Sequence, residues 1–468
     1  MVSKLKKKME RDLEKEIYFA EEGQETNESQ DNYEVEYFPF PTEFDYIDRV
    51  QVLRGRLEMG SKELCLRDIV EDNKTQEVVF LLKDRGFEVE KVSVGRQRLG
   101  YHFIRDLFDY LSTKSEKLKC LEFWVSRWSG KDFIKSTLKL ISKSSNLVDL
   151  SVFFENSNDL FLIEFLQLLC EIHINKVCIS FALITPLGLE ILGNLLSSQN
   201  CPREIELQRC TMSPNIGANL MKFIEEGKCL VRFKISDLNL KEFTISGNRS
   251  LQSLTTERCN LSDFSVLEIG RLDQLNYLDL SWNILENCFS SFLEIISNSN
   301  TLKSLRLCST HLLSKEGFLI AKYLRTNSTL TELDISHNTM KEATMAIIES
   351  LIVNNSLKKL NICNIGVGEE EVKKLAKVLA HDKCLTELNI QITSSNNLIP
   401  VFQGLKSNKT LKSLFCDIQT PSNGQEEIFH LCEMLSSNSF SLTCTSLLGI
   451  LIHRLTSPCS NVSNKTRA

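Results

Sequence analysis

The stretch GRQRLGYH, residues 95–102, comes nearest in this sequence to a catalytic or ligand-binding motif. Its two glycines have the spacing of a phosphate loop, in which backbone N–H groups and a lysine hold the phosphates of a nucleotide. Tyr101 and His102 stand where that loop needs Lys and then Ser or Thr. Because the lysine is missing, we predict a simple turn here and no nucleotide site.

Other residue types that carry chemistry are present but scattered. The seven histidines form no HExxH motif, no CxxC pair accompanies them at zinc spacing, and no GxSxG motif occurs. The sixteen cysteines include no CxxC pair and lie far apart in a long chain, which favours reduced, structural thiols. We therefore predict no catalytic residue, no cofactor, no metal and no enzyme activity.

Composition and charge limit the class of protein. A hydrophobic content of 42% and a charged content of 25% are ordinary for a globular chain, and a net charge of −6 does not favour nucleic acid. The sequence has neither an apolar run approaching ~20 residues nor a secretory signal in its first residues, MVSKLKKKMERDLEKE. These features predict a cytoplasmic protein that binds neither membranes nor nucleic acid.

One short pattern recurs along most of the chain. LNYLDLSWN, residues 275–283, reads L-x-x-L-x-L-x-x-N, and LTELDISHN, residues 330–338, repeats it. Fifteen copies can be aligned, starting at residues 61, 89, 118, 147, 174, 202, 230, 251, 275, 302, 330, 357, 385, 411 and 439. Most intervals are 26–29 residues, and so regular a period predicts a solenoid.

Each copy combines two periodicities. The L-x-x-L-x-L part alternates as a strand with one buried face does, and the rest carries apolar residues at helical spacing. In the copy that starts at 174, Thr185 is a predicted N-cap and Pro186 the first helical residue. One such unit cannot bury its apolar face alone, so we predict a stack of units.

The pattern resembles the leucine-rich repeat, and its 28-residue strand–helix form resembles the ribonuclease-inhibitor-like subfamily. That subfamily includes the repeats of NOD-like receptors and the Ran GTPase-activating proteins. The resemblance implies an α/β horseshoe of about fifteen repeats, with parallel strands on the concave face and helices on the convex face. Such a fold hosts many unrelated partners, so it predicts protein binding without naming the partner.

Copy lengths predict how the chain is divided. We expect a charged, partly disordered extension at 1–45, a repeat domain at 46–460 and a polar tail at 461–468. Within the repeat domain, intervals of 21 and 24 residues predict short irregular repeats at 230–274 and a change of curvature there. They would separate a first arc, 61–250, from a second, 275–460.

The resemblance leaves three functions open. We favour a monomeric, non-enzymatic scaffold or recognition module that binds a partner protein on the concave surface. A small-GTPase activator would use repeat-edge asparagines such as Asn283 or Asn338, although every consensus copy carries this asparagine for its turn. A substrate receptor of a ubiquitin ligase is the third alternative, although residues 1–60 show no convincing F-box.

The repeat frame predicts which side chains face the concavity. Offsets two, four and six from each copy's first residue point away from the core, and offset seven ends the strand. Aromatic residues there are typical of binding hot spots. One candidate set comprises Trp124, Phe153, Phe181, Glu204 and Glu206, with the glutamates as an acidic edge, and a second comprises Tyr277, Trp282, Arg306, Asp334 and His337. Alternatively, these aromatics stack on one another without a ligand, and the charges are a solvated face.

Overall fold

The computed structural model divides the chain into two units, Met1–Ile47 and Asp48–Ala468. Every described residue belongs to the second unit. The extension at 1–45 and the tail at 461–468 both lie outside the described residues. The structure describes residues 50–51, 63–66, 89–94, 101–126, 131–155, 159–212, 224, 227, 229–240, 249–392, 399–418, 430 and 441–443.

Sixteen described strands form one parallel sheet in which each strand pairs with the next along the chain. Because consecutive parallel strands need a crossover connection, this order is that of an open solenoid. The strands are β1 (Val50–Gln51), β2 (Glu63–Leu66), β3 (Lys91–Val94), β4 (Cys120–Ser126), β5 (Asp149–Glu155), β6 (Lys176–Ser180), β8 (Glu204–Gln208), β10 (Arg232–Ser236), β11 (Ser253–Glu257), β12 (Tyr277–Asp279), β13 (Ser304–Arg306), β14 (Glu332–Asp334), β15 (Lys359–Val367), β16 (Glu387–Ile392), β17 (Ser413–Ile418) and β18 (Ser441–Thr443). Two shorter strands, β7 (Leu183–Ile184) and β9 (Thr211–Met212), pair beside this sheet.

The fifteen predicted copies coincide with the strands β2 to β18 of the main sheet. Each of these strands begins at offset two of its copy, as Tyr277 does in the copy that starts at 275. Offsets three and five point into the core, where Leu121 and Phe123 are fully buried. The described part of the main sheet contains one strand that the pattern did not predict, β1, whose Val50 pairs with Leu64.

Helices connect the strands on the other side of the sheet. They are α1 (Tyr101–Leu111), α2 (Lys131–Lys143), α3 (Asp159–Glu171), α4 (Pro186–Ser197), α5 (Asp263–Gly270), α6 (Phe289–Ser297), α7 (Ser314–Thr326), α8 (Thr344–Ser350), α9 (Glu369–His381) and α10 (Ile399–Leu405). The predicted cap of α4 is confirmed, since the N–H of Gly188 donates to Thr185 Oγ1 at 3.2 Å. Tyr101 and His102 lie in α1, so the described end of the GRQRLGYH stretch is helical.

The spacing of the two layers explains the horseshoe. Neighbouring strands lie ~4.8 Å apart whereas packed helices need ~8–10 Å, so the stack bends with its strands on the concave side. In the short copies, the connection before β12 is only the eight-residue α5, and residues 241–248 lie outside the described part. The change of curvature and the arc boundaries stay predictions.

Eight successive copies carry a left-handed residue at offset seven, which follows the end of the strand in seven of them. From the copy starting at 174 to the one starting at 357, the offset-seven residue has positive φ; these residues are Phe181, Arg209, Asp237, Arg258, Trp282, Ser309, His337 and Asn364. In seven of these eight copies, its N–H donates to the carbonyl oxygen at offset six of the next copy, as Trp282 does to Cys308 at 2.8 Å. These bonds join successive repeats and hold the residue in place.

Candidate functional site

Three aromatic side chains of the first candidate set form a stack, which we call the aromatic stack: Phe153, Trp124 and Phe181. Trp124 on β4 is paired in register with Phe153 on β5, and their ring centroids lie 5.0 Å apart. Trp124 also stacks on Phe181, with centroids 5.9 Å apart. Trp124 and Phe153 are half-buried and Phe181 is exposed, so the stack presents apolar surface outside the core.

The turn after the strand determines which offset-seven aromatic is accessible. β5 continues to Glu155, so Phe154 stays in the strand and is buried in the core. β6 stops at Ser180, and Phe181 takes the left-handed conformation with 39% of its surface exposed. A change of turn between these two copies therefore brings Phe181 into contact with Trp124.

Glu204 and Glu206 take part in an ion-pair network on the sheet face. Lys176 Nζ lies 2.7 Å from Glu204 Oε1 and 2.6 Å from Glu206 Oε1. Arg232 Nε lies 2.7 Å from Glu204 Oε2, and Gln208 Nε2 donates to Glu206 Oε2 at 2.8 Å. Both glutamates are therefore matched by cations, and the predicted acidic edge is a neutralised network rather than an open negative surface.

The network perturbs the ionisation of its members. Burial alone would raise the pKa of the Glu204 carboxyl, but hydrogen bonds from Lys176 and Arg232 outweigh it and hold the pKa below its ordinary value of 4.5. Burial would likewise lower the pKa of Lys176, whereas hydrogen bonds to Glu204 and Glu206 raise it above its ordinary value. The network thus stabilises the fold at neutral pH, where both charges are present.

We expect Lys176→Met to lower the free energy of unfolding by about 2 kcal/mol at neutral pH, because it leaves two half-buried carboxylates short of a cation. Stability from a lowered glutamate pKa is fully present above the ordinary pKa of 4.5 and is lost as pH falls through the folded value. The difference between variant and wild type should therefore shrink in acid. Urea unfolding at neutral and acidic pH measures it, and a pH-independent difference would contradict the network.

The second candidate set divides into two groups. Tyr277, Arg306 and Asp334 lie on the neighbouring strands β12, β13 and β14, and the Arg306 guanidinium carbon lies 5.7 Å from the centre of the Tyr277 ring. Asp334 is buried, and it accepts hydrogen bonds from the Ser336 N–H at 3.0 Å and from Asn361 Nδ2 at 3.1 Å. Its oxygens thus serve the turn, and Tyr277 and Arg306 are the more accessible members.

Trp282 and His337 belong to the strand ends. The Arg258 guanidinium carbon lies 4.8 Å from the centre of the Trp282 ring, within cation–π range. His337 is exposed, with Nδ1 3.3 Å from Asn364 Nδ2. Trp282 and His337 thus lie at offset seven, beyond the strands that carry Tyr277 and Arg306.

Asn283 is a residue of the fold. It is buried, and its Nδ2 donates to the carbonyls of Thr256 and Leu280 at 2.6 and 2.9 Å. Its Oδ1 accepts from the N–H groups of Cys259 and Leu261 at 3.1 and 3.2 Å. Asn338, two copies further along the chain, makes the equivalent four hydrogen bonds. Neither amide is therefore placed to orient a GTPase residue.

Sequence reasoning missed a row of side chains at the strand ends. Arg209 lies over Phe181 with its guanidinium carbon 5.6 Å from the ring centre. Arg209 Nε lies 3.4 Å from Asp237 Oδ2, and Arg258 Nη1 lies 3.0 Å from Asp237 Oδ1. With Trp282 on Arg258, five successive copies form a continuous row. The alternation Arg, Asp, Arg at offset seven of successive copies is the sequence signal that could have predicted these ion pairs.

The described residues include no cluster suited to a metal ion, and two of their buried thiols are unreactive. Among them, no group of three or more His, Cys, Asp or Glu side chains could hold a metal ion. Burial raises the pKa of the Cys210 and Cys259 thiols to about 12, so both stay protonated at neutral pH and are poor nucleophiles. Within the same part of the chain, no helix has the length and apolarity to span a membrane.

Two mouse proteins share sequence with this chain. The "NACHT, LRR and PYD domains-containing protein 4E" is 30% identical over 224 residues, which cover 43% of this chain and 21% of that protein. The protein 4C of the same name is 25% identical over 284 residues, which cover 56% and 28%. The alignments thus span well under a third of these curated relatives. No family model matches the sequence.

Solved structures with similarity to the chain include two further proteins. The Rad7 and Elc1 complex in yeast contains a chain that matches with a TM-score of 0.45 at 14% identity, covering 79% of this chain and 92% of that one. An internalin from Listeria monocytogenes matches with a TM-score of 0.37 at 17% identity, covering 65% and 82%.

Proposed function

Because the chain is a leucine-rich-repeat protein, we propose that it is a non-enzymatic, cytoplasmic interaction module that binds a partner protein on the concave face of its sheet. The aromatic stack is the observation that carries this proposal. Offset six belongs to the outward face, and the core is complete without Trp124 and Phe153. Large aromatic side chains on a rigid surface are typical of the energetic centre of an interface.

The neighbouring charges favour a partner that buries this stack. Lys176, Glu204, Glu206 and Arg232 pair with one another, so these four side chains would enter the interface as a neutral group. An aromatic centre with a polar border is the usual anatomy of protein interfaces. The partner would therefore gain affinity mainly from the rings and specificity from the charges.

We expect the double substitution Trp124→Ala and Phe153→Ala to weaken partner binding by about 100-fold, because hot-spot truncations cost ~2 kcal/mol or more. Partners captured from a lysate by the full chain are identified first, and the affinity of one purified partner is then measured. Cys308→Ala is the matched control, since Cys308 also stands at offset six but lies outside the stack.

Thermal unfolding separates binding from folding. Both side chains are half-buried, so the double variant should shift Tm by no more than about 5 °C. Unchanged affinity would contradict the proposal. A large fall in Tm together with lost binding would show that the rings stabilise the solenoid, and it would remove the stack as the binding centre.

A further inference from the structure

Exposed apolar side chains are concentrated along one edge of the solenoid. Ten large apolar side chains are exposed among the described residues, and six of them lie between a strand's end and the first turn of the following helix: Phe181, Leu183, Leu187, Phe264, Ile284 and Leu313. Single exposed apolar residues are normal, whereas their concentration on one edge is typical of an interaction surface.

The residues at offsets seven and nine of the five copies starting at 174 to 275 form what we call the strand-end ledge. Phe181 and Leu183 form one apolar end, and Trp282 and Ile284 form the other. Between them lie Arg209, Asp237 and Arg258. The buried offset-eight residues, such as Cys210 and Asn283, anchor the ledge from below. The ledge is therefore a firm surface with two apolar ends and a charged centre.

The centre of the ledge carries net positive charge. Two guanidinium groups share the single carboxylate of Asp237, and only Nε of Arg209 takes part in the described contact with it. Glu257, at offset six on the sheet face, lies outside the ledge; burial raises the pKa of its carboxyl, an effect that nearby Asp279 reinforces. The centre thus favours an anionic group.

The backbone of the ledge is strained at its apolar ends. Phe181 and Trp282 have φ of 59° and 62°, a region that bulky side chains rarely adopt and that Gly, Asn and Asp tolerate. The hydrogen bonds between repeats enforce this conformation whatever the side chain. Aromatic rings are thus placed where the turn would be more relaxed with asparagine, so asparagine is the substitution that removes the ring and keeps the turn.

We propose that the strand-end ledge binds an extended segment of another protein that carries a carboxylate between two apolar side chains. This inference rests on the proposed function as an interaction module. It concerns a different surface, which shares only Phe181 with the aromatic stack. Four strand spacings of ~4.8 Å separate the two apolar ends, about 19 Å, which a segment of about six residues spans at ~3.3 Å per residue. The carboxylate would meet Arg209 and Arg258.

A random dodecapeptide display library selected on the full chain tests the inference. The enriched sequences should carry Asp or Glu between two apolar or aromatic residues about five to seven positions apart. One enriched peptide is then synthesised with its acid or with Lys at that position. Fluorescence anisotropy should show at least tenfold tighter binding of the acidic form, with the difference reduced in high salt.

Asparagine variants remove the rings and keep the left-handed turn. Phe181→Asn and Trp282→Asn should each weaken the peptide at least tenfold without lowering Tm, and Arg209→Asn should reduce the preference for the acid. Ser309→Asn is the control, because Ser309 has the same offset and a φ of 52° in the next copy. It should bind the peptide as the wild type does.

Each other outcome rejects the inference. It is overturned if no peptide is enriched, if the enriched peptides lack the acid, or if Trp282→Asn leaves the peptide affinity unchanged. Concentration-dependent self-association in sedimentation that Trp282→Asn abolishes would assign the ledge to a second copy. Heparin binding that competes with the peptide and needs Arg209 would assign it to polyanions.

The two proposals fail separately. If the Trp124→Ala and Phe153→Ala variant loses the captured partner while every ledge variant behaves as wild type, the ledge inference is wrong and the proposed function stands. If peptides bind the ledge but that double variant keeps its partner, the concave-face proposal is wrong.

Discussion

Asn338→Ala is expected to lower the free energy of unfolding by about 3 kcal/mol, because it leaves several buried backbone groups without partners. Asn338 Oδ1 accepts from the N–H groups of Thr310 and Leu312 at 3.0 Å each, and Nδ2 donates to the carbonyls of Leu307 and Ile335 at 2.8 and 3.0 Å. Alanine fills less space and replaces none of these bonds. Urea unfolding measures the loss, and hydrogen exchange at the amides of Thr310 and Leu312 localises it.

Asn338→Cys is the matched comparison. Cys210 and Cys259 occupy offset eight in other copies, and their thiols donate to the equivalent carbonyl of the preceding copy at 3.4 and 3.6 Å. Cysteine should therefore recover part of the stability, although sulfur is a weak acceptor for the two N–H groups. If the alanine and cysteine variants unfold alike, or if alanine costs less than about 1 kcal/mol, the amide is not what holds the turn.

Gly404→Ala is expected to cost about 3 kcal/mol because the helices α9 and α10 meet at that glycine. A methyl group there would collide with the carbonyl oxygen of Ala376 and lie 2.9 Å from its carbonyl carbon. Both atoms belong to the backbone of α9, so no side chain can move aside. The two helices would have to separate along their contact.

Gly188→Ala provides the opposite case in a similar setting. Gly188 lies in the first turn of α4, and a methyl group there would find its nearest neighbour, Thr185 Oγ1, at 3.5 Å. Alanine has the higher helix propensity, so stability should stay the same or rise by up to about 1 kcal/mol. Thermal unfolding of both variants compares them. A neutral Gly404→Ala would show that the helices are more loosely packed than the structure has them.

The sequence predicted the main sheet because one pattern recurs with the same offsets. Strands from Glu63 to Ser441 begin two residues into their copies since Leu at offsets zero, three and five must face one core. β1 was missed because Val50–Gln51 lies only fourteen residues before its partners Leu64–Cys65. So short an interval has no room for a repeat, and two residues carry no periodicity.

Side-chain partners were harder to predict than strands. The ion pairs of Glu204 with Lys176 and Arg232 could be derived from the sequence, since equal offsets in neighbouring copies hold opposite charges. The stacking of Trp124 on Phe181 could not, because it depends on a turn that changes between two copies. The left-handed conformation of Phe181, Arg209 and Trp282 was equally hidden, since local preference disfavours it and contacts between repeats impose it.

The left-handed residues at offset seven affect how such a protein can change its sequence. Because backbone bonds between repeats fix the conformation at offset seven, residues as different as Trp282, Asp237 and Ser309 occupy it in one molecule. Folding there depends little on side-chain identity, whereas the neighbouring offset-eight residue is buried in every one of these copies. Substitutions at offset seven can therefore change which partner the edge binds while each successive variant still folds. That series of positions is a suitable starting point for engineering new specificities.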